Sequence, residues 1–472
     1  MYVAAATIQI SGRQVFARFF ELFIKKCHTL PTFRPENKHL MEKLYDIFLQ
    51  HRNIITDSRA IESGCLFFAL KGERFNGNQF AAKALEQGAA YAVIDEAEYA
   101  TSDRYILVEN VLETLQELAA YHRQKFYIPV IGITGSNGKT TTKELINAIL
   151  SSHYPTHCTK GNFNNHIGVP LTLLAMSEET EVAIIEMGAN HVGEIEFLSK
   201  ITDPTHGLIT NIGKAHLEGF GSLEGVKTAK SELYKFLEKK KGIVFINLDE
   251  PFLKDLAVNN FSKIFYQQSA EIDIAKPIYE TELIDANPFI KVAFNESPNT
   301  KMEVQSQIIG HYNFNNIMTA LAVGRYFKVP SAKIKASIEN YVPANNRSQV
   351  VQKDSNTYIL DAYNANPTSL ENALKSFDNL DATKKIVIIG DMLEMGDYSK
   401  KEHQSIYEIG MSLDFEQIIL VGKEFGKLTV ESDVLQFEKI ADLKSWFEQQ
   451  NFQNTHFLIK GSRGIQLEKL IQ

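Results

Sequence analysis

At 472 residues the chain is too long for one ordinary core, and two to four domains are expected; 44% hydrophobic and 22% charged residues are usual for a globular protein. The formal net charge of −8 comes from interspersed charges and argues against a nucleic-acid surface, which needs a basic face. Three scattered cysteines, Cys27, Cys65 and Cys158, show no C-x-x-C spacing; this excludes a zinc cluster and a disulfide framework and points to a reducing cytoplasm.

Residues 1–40 open with "SGRQVFARFFELFIKK", which is basic, aromatic and roughly amphipathic. Arg13 and Arg18 interrupt any apolar core, so a secretory signal is not expected, and no run in the chain reaches the roughly 18 apolar residues that span a bilayer. A transit peptide or surface-lying helix is one reading of this segment; an extension ahead of the first domain is the other, because "MEKLYDIFLQ" from Met41 reads as an opening helix. A first domain over 41–125 then mixes short strands ("CLFFAL", "AAYAVID") with the helical "LETLQELAAYHRQKF", ending before Pro129.

Over 126–342 the pattern alternates. "PVIGIT", "VAIIEM", "GLITNI" and "GIVFIN" are apolar runs followed by loops and helical spacing, the signature of a parallel sheet covered on both faces. "HYNFNNIMTALAVGRYF" reads as a helix near the end of this domain. Over 343–472 the pattern restarts with "TYILDAYNANP", "KIVIIGDM", "QIILVGKEF" and "HFLIKGSRG", four apolar strands ending in polar residues and glycine. In open α/β sheets ligands gather beyond the carboxyl ends of strands, so this smaller α/β domain also faces a ligand.

"TGSNGKTT" follows a strand and precedes a helix starting near Lys139. Thr134, Gly135, Ser136, Asn137 and Gly138 form a Gly-rich turn whose backbone N–H groups suit phosphate oxygens; Lys139 supplies a point charge and the Thr140 hydroxyl a Mg²⁺ ligand. The usual P-loop wants glycine at 133, where this chain has Ile133. No N-K-x-D motif supports a GTPase switch.

"GITGSNGKTT", "GNFNNHIGVP", "IIEMGANHVGEI", "NIGKAHLEGFGS", "KTAKSELY", "DAYNANPTSLENAL" and "GDMLEMG" together resemble the Mur amide ligases of bacterial cell-wall synthesis, in order, over 41–472. The family pattern T-G-[TS]-N-G-K-[TS] accounts for the shifted glycine. The resemblance implies three α/β domains: a small N-terminal substrate domain, a central P-loop parallel-sheet ATPase domain and a C-terminal Rossmann-like domain. The "DAYNANP" and "GDMLEMG" blocks resemble the branch that joins D-alanyl-D-alanine to UDP-N-acetylmuramoyl-tripeptide through an acyl phosphate made with ATP and Mg²⁺.

The resemblance also implies roles. Glu186, ending "VAIIEM", is a Mg²⁺ ligand by resemblance and a solvated strand-end glutamate on position alone. His216 matches a second-metal position. Lys230 reads from the sequence as an exposed helix lysine; by resemblance it is carbamylated by CO2 and helps hold the second Mg²⁺. Asn313 and Asn316 match the adenine-contacting H-N-x-x-N helix, with Tyr312 where histidine is common. Asp361 corresponds to a ribose contact and Arg347 to a phosphate contact, so ATP would be clamped between domains. Ser58, Arg59, Asn76 and Gly77 resemble parts that hold the UDP-sugar, Asn164 and Asn165 the sugar's lactyl end, and Asn364 and Asn366 the arriving dipeptide. Turn chemistry and surface polarity are the plainer readings of these last residues. A monomer with no nucleic-acid partner is expected. Two rivals remain: a related ligase adding the third amino acid, which carries D-N-P-R where this chain has "DAYNANP", and a noncatalytic ATP-binding regulator, which would not need Glu186, His216 and Lys230 together.

Overall fold

A computed structural model describes residues 38–269, 278–297 and 300–471. The expectation for the N-terminal segment therefore lies, up to residue 37, outside the described residues. Helix α1 (Lys38–Gln50) contains the expected opening helix, and Met41, Leu44 and Phe48 recur on its buried face.

The first domain is a four-stranded parallel sheet of β1 (Ile54–Ile55), β2 (Leu66–Phe68), β5 (Tyr91–Ile94) and β6 (Tyr105–Leu107), in that order. A small hairpin, β3 (Lys71–Gly72) and β4 (Phe75–Asn76), precedes α2 (Ala81–Glu86). Helix α3 (Val111–Arg123) is capped by Asn110, whose side chain accepts the N–H groups of Leu112 and Glu113.

The central domain carries β7 (Val130–Thr134), α4 (Lys139–Ser151), β8 (Thr156–Cys158), α5 (Gly168–Leu174), β9 (Val182–Glu186), α6 (Glu194–Thr202), β10 (His206–Ile209), α7 (Leu217–Phe220), α8 (Leu223–Lys240) and β11 (Ile243–Asn247). Strands β7, β9, β10 and β11 are buried throughout, as their unbroken apolar runs require. After α9 (Leu253–Leu256) come β12 (Ser262–Gln268), β13 (Ile278–Asp285), β14 (Phe289–Ser297) and β15 (Thr300–Ile309), then α10 (Phe314–Tyr326) and α11 (Ser331–Glu339). The sheet order is β15-β14-β13-β12-β11-β10-β7-β9-β8. It is parallel from β8 to β13, but β13, β14 and β15 pair antiparallel. The expected parallel sheet is present, and it continues through β13 into an antiparallel ribbon that the sequence reading did not foresee. Over Glu303–Ile308 of β15 exposed and buried residues alternate, a one-sided strand that lacks the solid apolar run of a parallel sheet.

The third domain pairs β16 (Gln349–Lys353), β17 (Asn356–Asp361), β21 (His456–Lys460), β18 (Lys385–Gly390), β19 (Gln417–Val421) and β20 (Leu435–Phe437), with only β16 antiparallel. Its helices include α12 (Pro367–Asp378), α13 (Ser399–Met411) and α14 (Ile440–Phe447). The four expected strands form its centre, and the two edge strands were not foreseen.

The domains are joined unequally. One apolar cluster runs from Met41 and Phe48 through Leu118 to Ile185 and Leu237, so the first two domains share a core. At their joint the buried Arg123 guanidinium donates to the carbonyls of Phe126 (2.6 Å), Asp203 (2.9 Å) and Thr202 (3.0 Å). The third domain is filled mainly by two further clusters, one of which takes in Ile309 of the central domain with Phe289 and Tyr312 packed against it. Its connection passes through Asn345, Asn346 and Ser348, all with left-handed backbones (φ +59°, +57° and +48°).

Candidate active site

The Gly-rich turn sits where the sheet order reverses: β7 lies between β9 and β10, and the loop leaves its carboxyl end. Gly138 caps α4 with φ +76°, and an added Cβ would come within 2.4 Å of Asn316 Oδ1. A Cβ on Gly135 (φ +141°) would meet Thr210 Oγ1 at 2.0 Å. These two glycines are fixed by crowding as well as by backbone hand. The end of β10 secures the turn from below. Asn211 Oδ1 accepts the Asn137 N–H (3.0 Å), Thr210 Oγ1 donates to the Asn137 carbonyl (2.6 Å), and the Gly213 N–H donates to Ser136 Oγ (2.9 Å). The Lys139 ammonium donates to the carbonyls of Gly135 (2.7 Å) and Ser136 (3.2 Å), and burial holds its pKa below the ordinary lysine value.

Glu186 ends β9 beside this loop and is 1% exposed. Its Oε1 accepts from Asn164 Nδ2 (2.8 Å) and Thr140 Oγ1 (3.2 Å). Oε2 has no hydrogen-bond partner, and the Lys143 ammonium lies 3.5 Å away. The Thr134 hydroxyl, at the loop's start, is also buried without a partner. An unfilled carboxylate oxygen next to a hydroxyl is a donor pair suited to a hard cation, so these residues fit magnesium. Among the described residues no three His, Cys, Asp or Glu side chains converge as a cage. That agrees with magnesium's habit of taking few protein ligands and completing its shell with phosphate and water.

His216 and Lys230 flank the Phe220 ring. The His216 ring centroid lies 6.3 Å from that of Phe220, and the Lys230 ammonium sits 5.1 Å from the centroid. Lys230 is 1% exposed, contrary to the bland expectation of a solvated helix lysine. Its ammonium makes a long hydrogen bond to the Ala189 carbonyl (3.4 Å). Burial, then the nearby Lys139 charge, pushes its pKa well below the ordinary lysine value. Glu232, two residues on, is occupied instead with the N–H groups of Gly193 (2.7 Å) and Glu196 (2.9 Å). His216 is left-handed (φ +51°), and its Nδ1 lies 2.5 Å from Oε2 of Glu394 in the third domain. The approach is off the axis of a ring hydrogen bond, and His216 lowers the Glu394 pKa.

On the other side of the loop, Asn316 Oδ1 accepts from Thr142 Oγ1 (3.0 Å) and its Nδ2 donates to Asn313 Oδ1 (2.7 Å). Asn313 Nδ2 donates to the Ile309 carbonyl (2.8 Å) and Ser348 Oγ (2.9 Å). The pair therefore ties α10 to α4 and to the joint of the third domain. Tyr312 OH reaches Ser348 Oγ (3.0 Å) and, more distantly, Asp361 (3.5 Å). Asp361 is ion-paired with Lys460 at 2.6 Å. The Arg347 guanidinium stacks 3.4 Å over the Tyr363 ring, and its charge is felt at Lys139.

The remaining sequence candidates are spread out. Arg59 is exposed and forms a local pair with Asp57 (2.6 Å), beside Ser58. Asn76 Oδ1 accepts the Asn78 N–H, and its Nδ2 donates to Glu96 (2.9 Å). Gly77 has no room for a Cβ, which would sit 2.3 Å from the Leu70 carbonyl oxygen. Asn165 accepts the N–H groups of Ile167 and Gly168 at the start of α5. Asn364 is exposed and accepts the Ala365 N–H (2.9 Å). Asn366 caps α12 in a reciprocal pair with Ser369 and donates to Asn137 of the Gly-rich loop (2.7 Å). Asn-Pro-Thr-Ser ahead of "LENAL" is a legible capping signal. Sequence reading missed Lys143, Lys460, Lys214 and Glu394. Lys214 pairs with the buried Glu402 of the third domain (2.9 Å), and only folding joins these partners.

The sequence matches the Mur ligase family catalytic domain over residues 51–123, the Mur ligase middle domain over 133–324, and the Mur ligase glutamate ligase domain over 346–463. It is 34% identical over 431 residues to the UDP-N-acetylmuramoyl-tripeptide–D-alanyl-D-alanine ligase of Bacillus subtilis, covering 89% of this chain and 92% of that one. The Escherichia coli enzyme of the same name is also 34% identical, with 89% and 92% covered. Among solved structures, MurF from Acinetobacter baumannii superposes with TM-score 0.79 at 30% identity, covering 91% of this chain and 97% of that one. MurF from Thermotoga maritima in complex with ADP gives 0.77 at 26% identity, with 90% and 97% covered.

Proposed function

Because this chain belongs to the Mur ligase family, we propose that it joins D-alanyl-D-alanine to UDP-N-acetylmuramoyl-tripeptide with ATP, in peptidoglycan precursor synthesis. It is an ATP-dependent ligase. The observation that carries the reading is an intact phosphate loop abutting the buried Glu186, in a chain that follows ligases of this name along nine tenths of their length.

A carboxylate is a poor electrophile. ATP activates it as an acyl phosphate, which the free amine of the dipeptide attacks, releasing phosphate. The protein's task is positioning and charge neutralisation. The backbone of Gly135–Gly138 and the Lys139 ammonium would hold the outer phosphates, with Arg347 approaching from the third domain. Asn313 and Asn316 would face adenine, and Asp361 the ribose. Thr140 and Glu186 would hold Mg²⁺, which supplies charge neutralisation when bound. A carbamate on Lys230 belongs to the same proposal: burial pushes its pKa well below the ordinary lysine value, in the direction that favours the neutral amine CO2 requires. As a carbamate beside His216 it would turn from a cation into a ligand for a second metal. Ser58, Arg59, Asn76, Gly77, Asn164 and Asn165 would serve the UDP-sugar end, and Asn364 and Asn366 the dipeptide. Domain limits of 41–125, 126–342 and 343–472, a monomeric state and a cytoplasmic location belong to the same proposal. No helix among the described residues is long and apolar enough to cross a membrane.

ADP release measured with UDP-N-acetylmuramoyl-tripeptide, with and without D-alanyl-D-alanine, tests the reading. Release that depends on the dipeptide is expected. Release driven by a single amino acid, or no release, overturns it.

A further inference from the structure

Strands β17 and β21 run side by side, with Asp361 beside Lys460 at their carboxyl ends. The loops that leave them are tied together. The Lys460 ammonium donates to the Asn364 carbonyl (3.3 Å), and the Ser462 hydroxyl to the Ala365 carbonyl (3.5 Å). The bond from Asn366 to Asn137 sets the first of these loops against the phosphate loop (2.7 Å). Tyr363 stands on the first loop and Arg463 on the second. The Arg463 guanidinium lies over the Tyr363 ring, 5.4 Å from its centroid, and Arg347 covers the same ring at 3.4 Å.

These two arginines differ from others in the chain. Arg52, Arg59, Arg104, Arg123 and Arg325 all donate to oxygens of the protein. The side chains of Arg347 and Arg463 donate to none among the described residues and form no ion pair there, and Arg463 is exposed. Lys460, the other cation at this end of β21, is already paired with Asp361 (2.6 Å). A guanidinium over an aromatic face keeps its N–H donors in its own plane, turned outward and unfilled. Two such cations on one ring, with no acid between them, suit an anion. The Arg347 charge acts on Lys139, whereas Arg463 is not among the charges felt there, so Arg463 lies farther from the phosphate loop. The arriving dipeptide must present its amine at the acyl phosphate. Its carboxylate lies about 7 Å away when the two residues are extended, and phosphoryl charge drives it outward.

We infer that Arg463 binds the carboxylate of the incoming dipeptide, with the Tyr363 ring as the platform beneath its guanidinium. A free carboxylate two residues from the amine is then a feature the site reads, and its capture aims the amine at the phosphate loop. The inference rests on the ligase reading and adds to it the group that orients the acceptor.

The test is steady-state ADP release by the full-length protein with D-alanyl-D-alanine and with its C-terminal amide, which keeps the amine and removes the charge. The parent should have a KM for the amide about tenfold or more above that for the acid. R463M should raise KM for the acid by a similar factor, leave KM for ATP and for the UDP-tripeptide within about threefold, and use acid and amide alike. R463K, which keeps the charge without the planar fork, recovers part of the preference. The Arg463 side chain is exposed and makes no hydrogen bond, so its removal spares the fold, and an unchanged KM for ATP verifies this in each variant. A parent that uses acid and amide equally overturns the inference. So does an acid preference that survives in R463M, or an R463M defect confined to KM for ATP or the UDP-tripeptide, which would give the guanidinium to a phosphate. Each of these leaves the ligase reading standing. Absence of dipeptide-dependent ADP release in the parent would take both down.

Discussion

Gly138→Ala places a single methyl group at a crowded point of the phosphate loop, where the helix begins. Two costs add. An L-residue held left-handed loses roughly 1–2 kcal/mol relative to glycine. The new Cβ also lies 2.4 Å from Asn316 Oδ1, so the amide must turn away. That breaks the bonds from Thr142 Oγ1 (3.0 Å) and to Asn313 Oδ1 (2.7 Å), each worth about 1 kcal/mol. The total is roughly 3–4 kcal/mol. If the loop keeps its place, the cost appears in urea unfolding. If the loop swings aside, it appears in nucleotide binding, where about 3 kcal/mol is over a hundredfold in affinity. The two losses, from unfolding curves and from ATP titration calorimetry, should sum to the same total. Gly161→Ala is the control: φ is +53°, but nothing lies within 4 Å of its Cβ, so only the backbone cost remains. A summed loss for Gly138→Ala no greater than for Gly161→Ala refutes the crowding argument.

Other outcomes follow from the same geometry. Lys230→Ala should abolish turnover, and a short carboxylic acid added to the assay should restore part of it; full activity without rescue sinks the carbamate. His122 is held neutral, with Nδ1 meeting the Tyr45 hydroxyl and Nε2 the Met176 carbonyl (both 3.1 Å), and burial brings its pKa down to about 4 from the ordinary 6.5. A depressed folded value means its contribution is whole above pH 6.5 and is lost as pH falls towards 4, by roughly 3 kcal/mol. Urea midpoints between pH 7.5 and 4 should therefore fall less steeply in His122→Phe; an unchanged slope counts against it. Lys460→Met strands the Asp361 carboxylate and should cost roughly 3 kcal/mol in third-domain stability. Calorimetry of K460M beside the double variant D361N/K460M, which should recover most of that loss, checks the pairing.

Legibility in the sequence tracked burial on both sides of a strand. "VIGIT", "VAIIE" and "KIVIIG" announced themselves because both faces are covered. The ribbon β13–β15 did not, since its one-sided strands carry only a period-two pattern among charged residues. Within the candidate site, the Gly-rich turn was legible because its spacing is local. The environments of Lys230 and Asp361 were not. Lys460 lies 99 residues from Asp361, and Glu402 lies 188 from Lys214, and no spacing rule spans such separations. The asparagines show the opposite limit. Asn76, Asn165 and Asn366 each accept a backbone N–H as caps or turns, so their residue type alone does not report a ligand.

The shared core of the first two domains has a consequence for inheritance. The cluster from Met41 to Leu237, clamped by Arg123, makes the first domain no exchangeable cassette. A chimera cut near residue 125 would divide one oil drop between two parents and leave mismatched halves facing each other. A cut at Asn345–Ser348 leaves the third domain's own clusters mostly whole and parts only Ile309, Phe289 and Tyr312, with a few polar contacts such as Lys214–Glu402, from the partners they pack against. Recombination among relatives should therefore favour the second joint, with new third domains arriving on an old two-domain body.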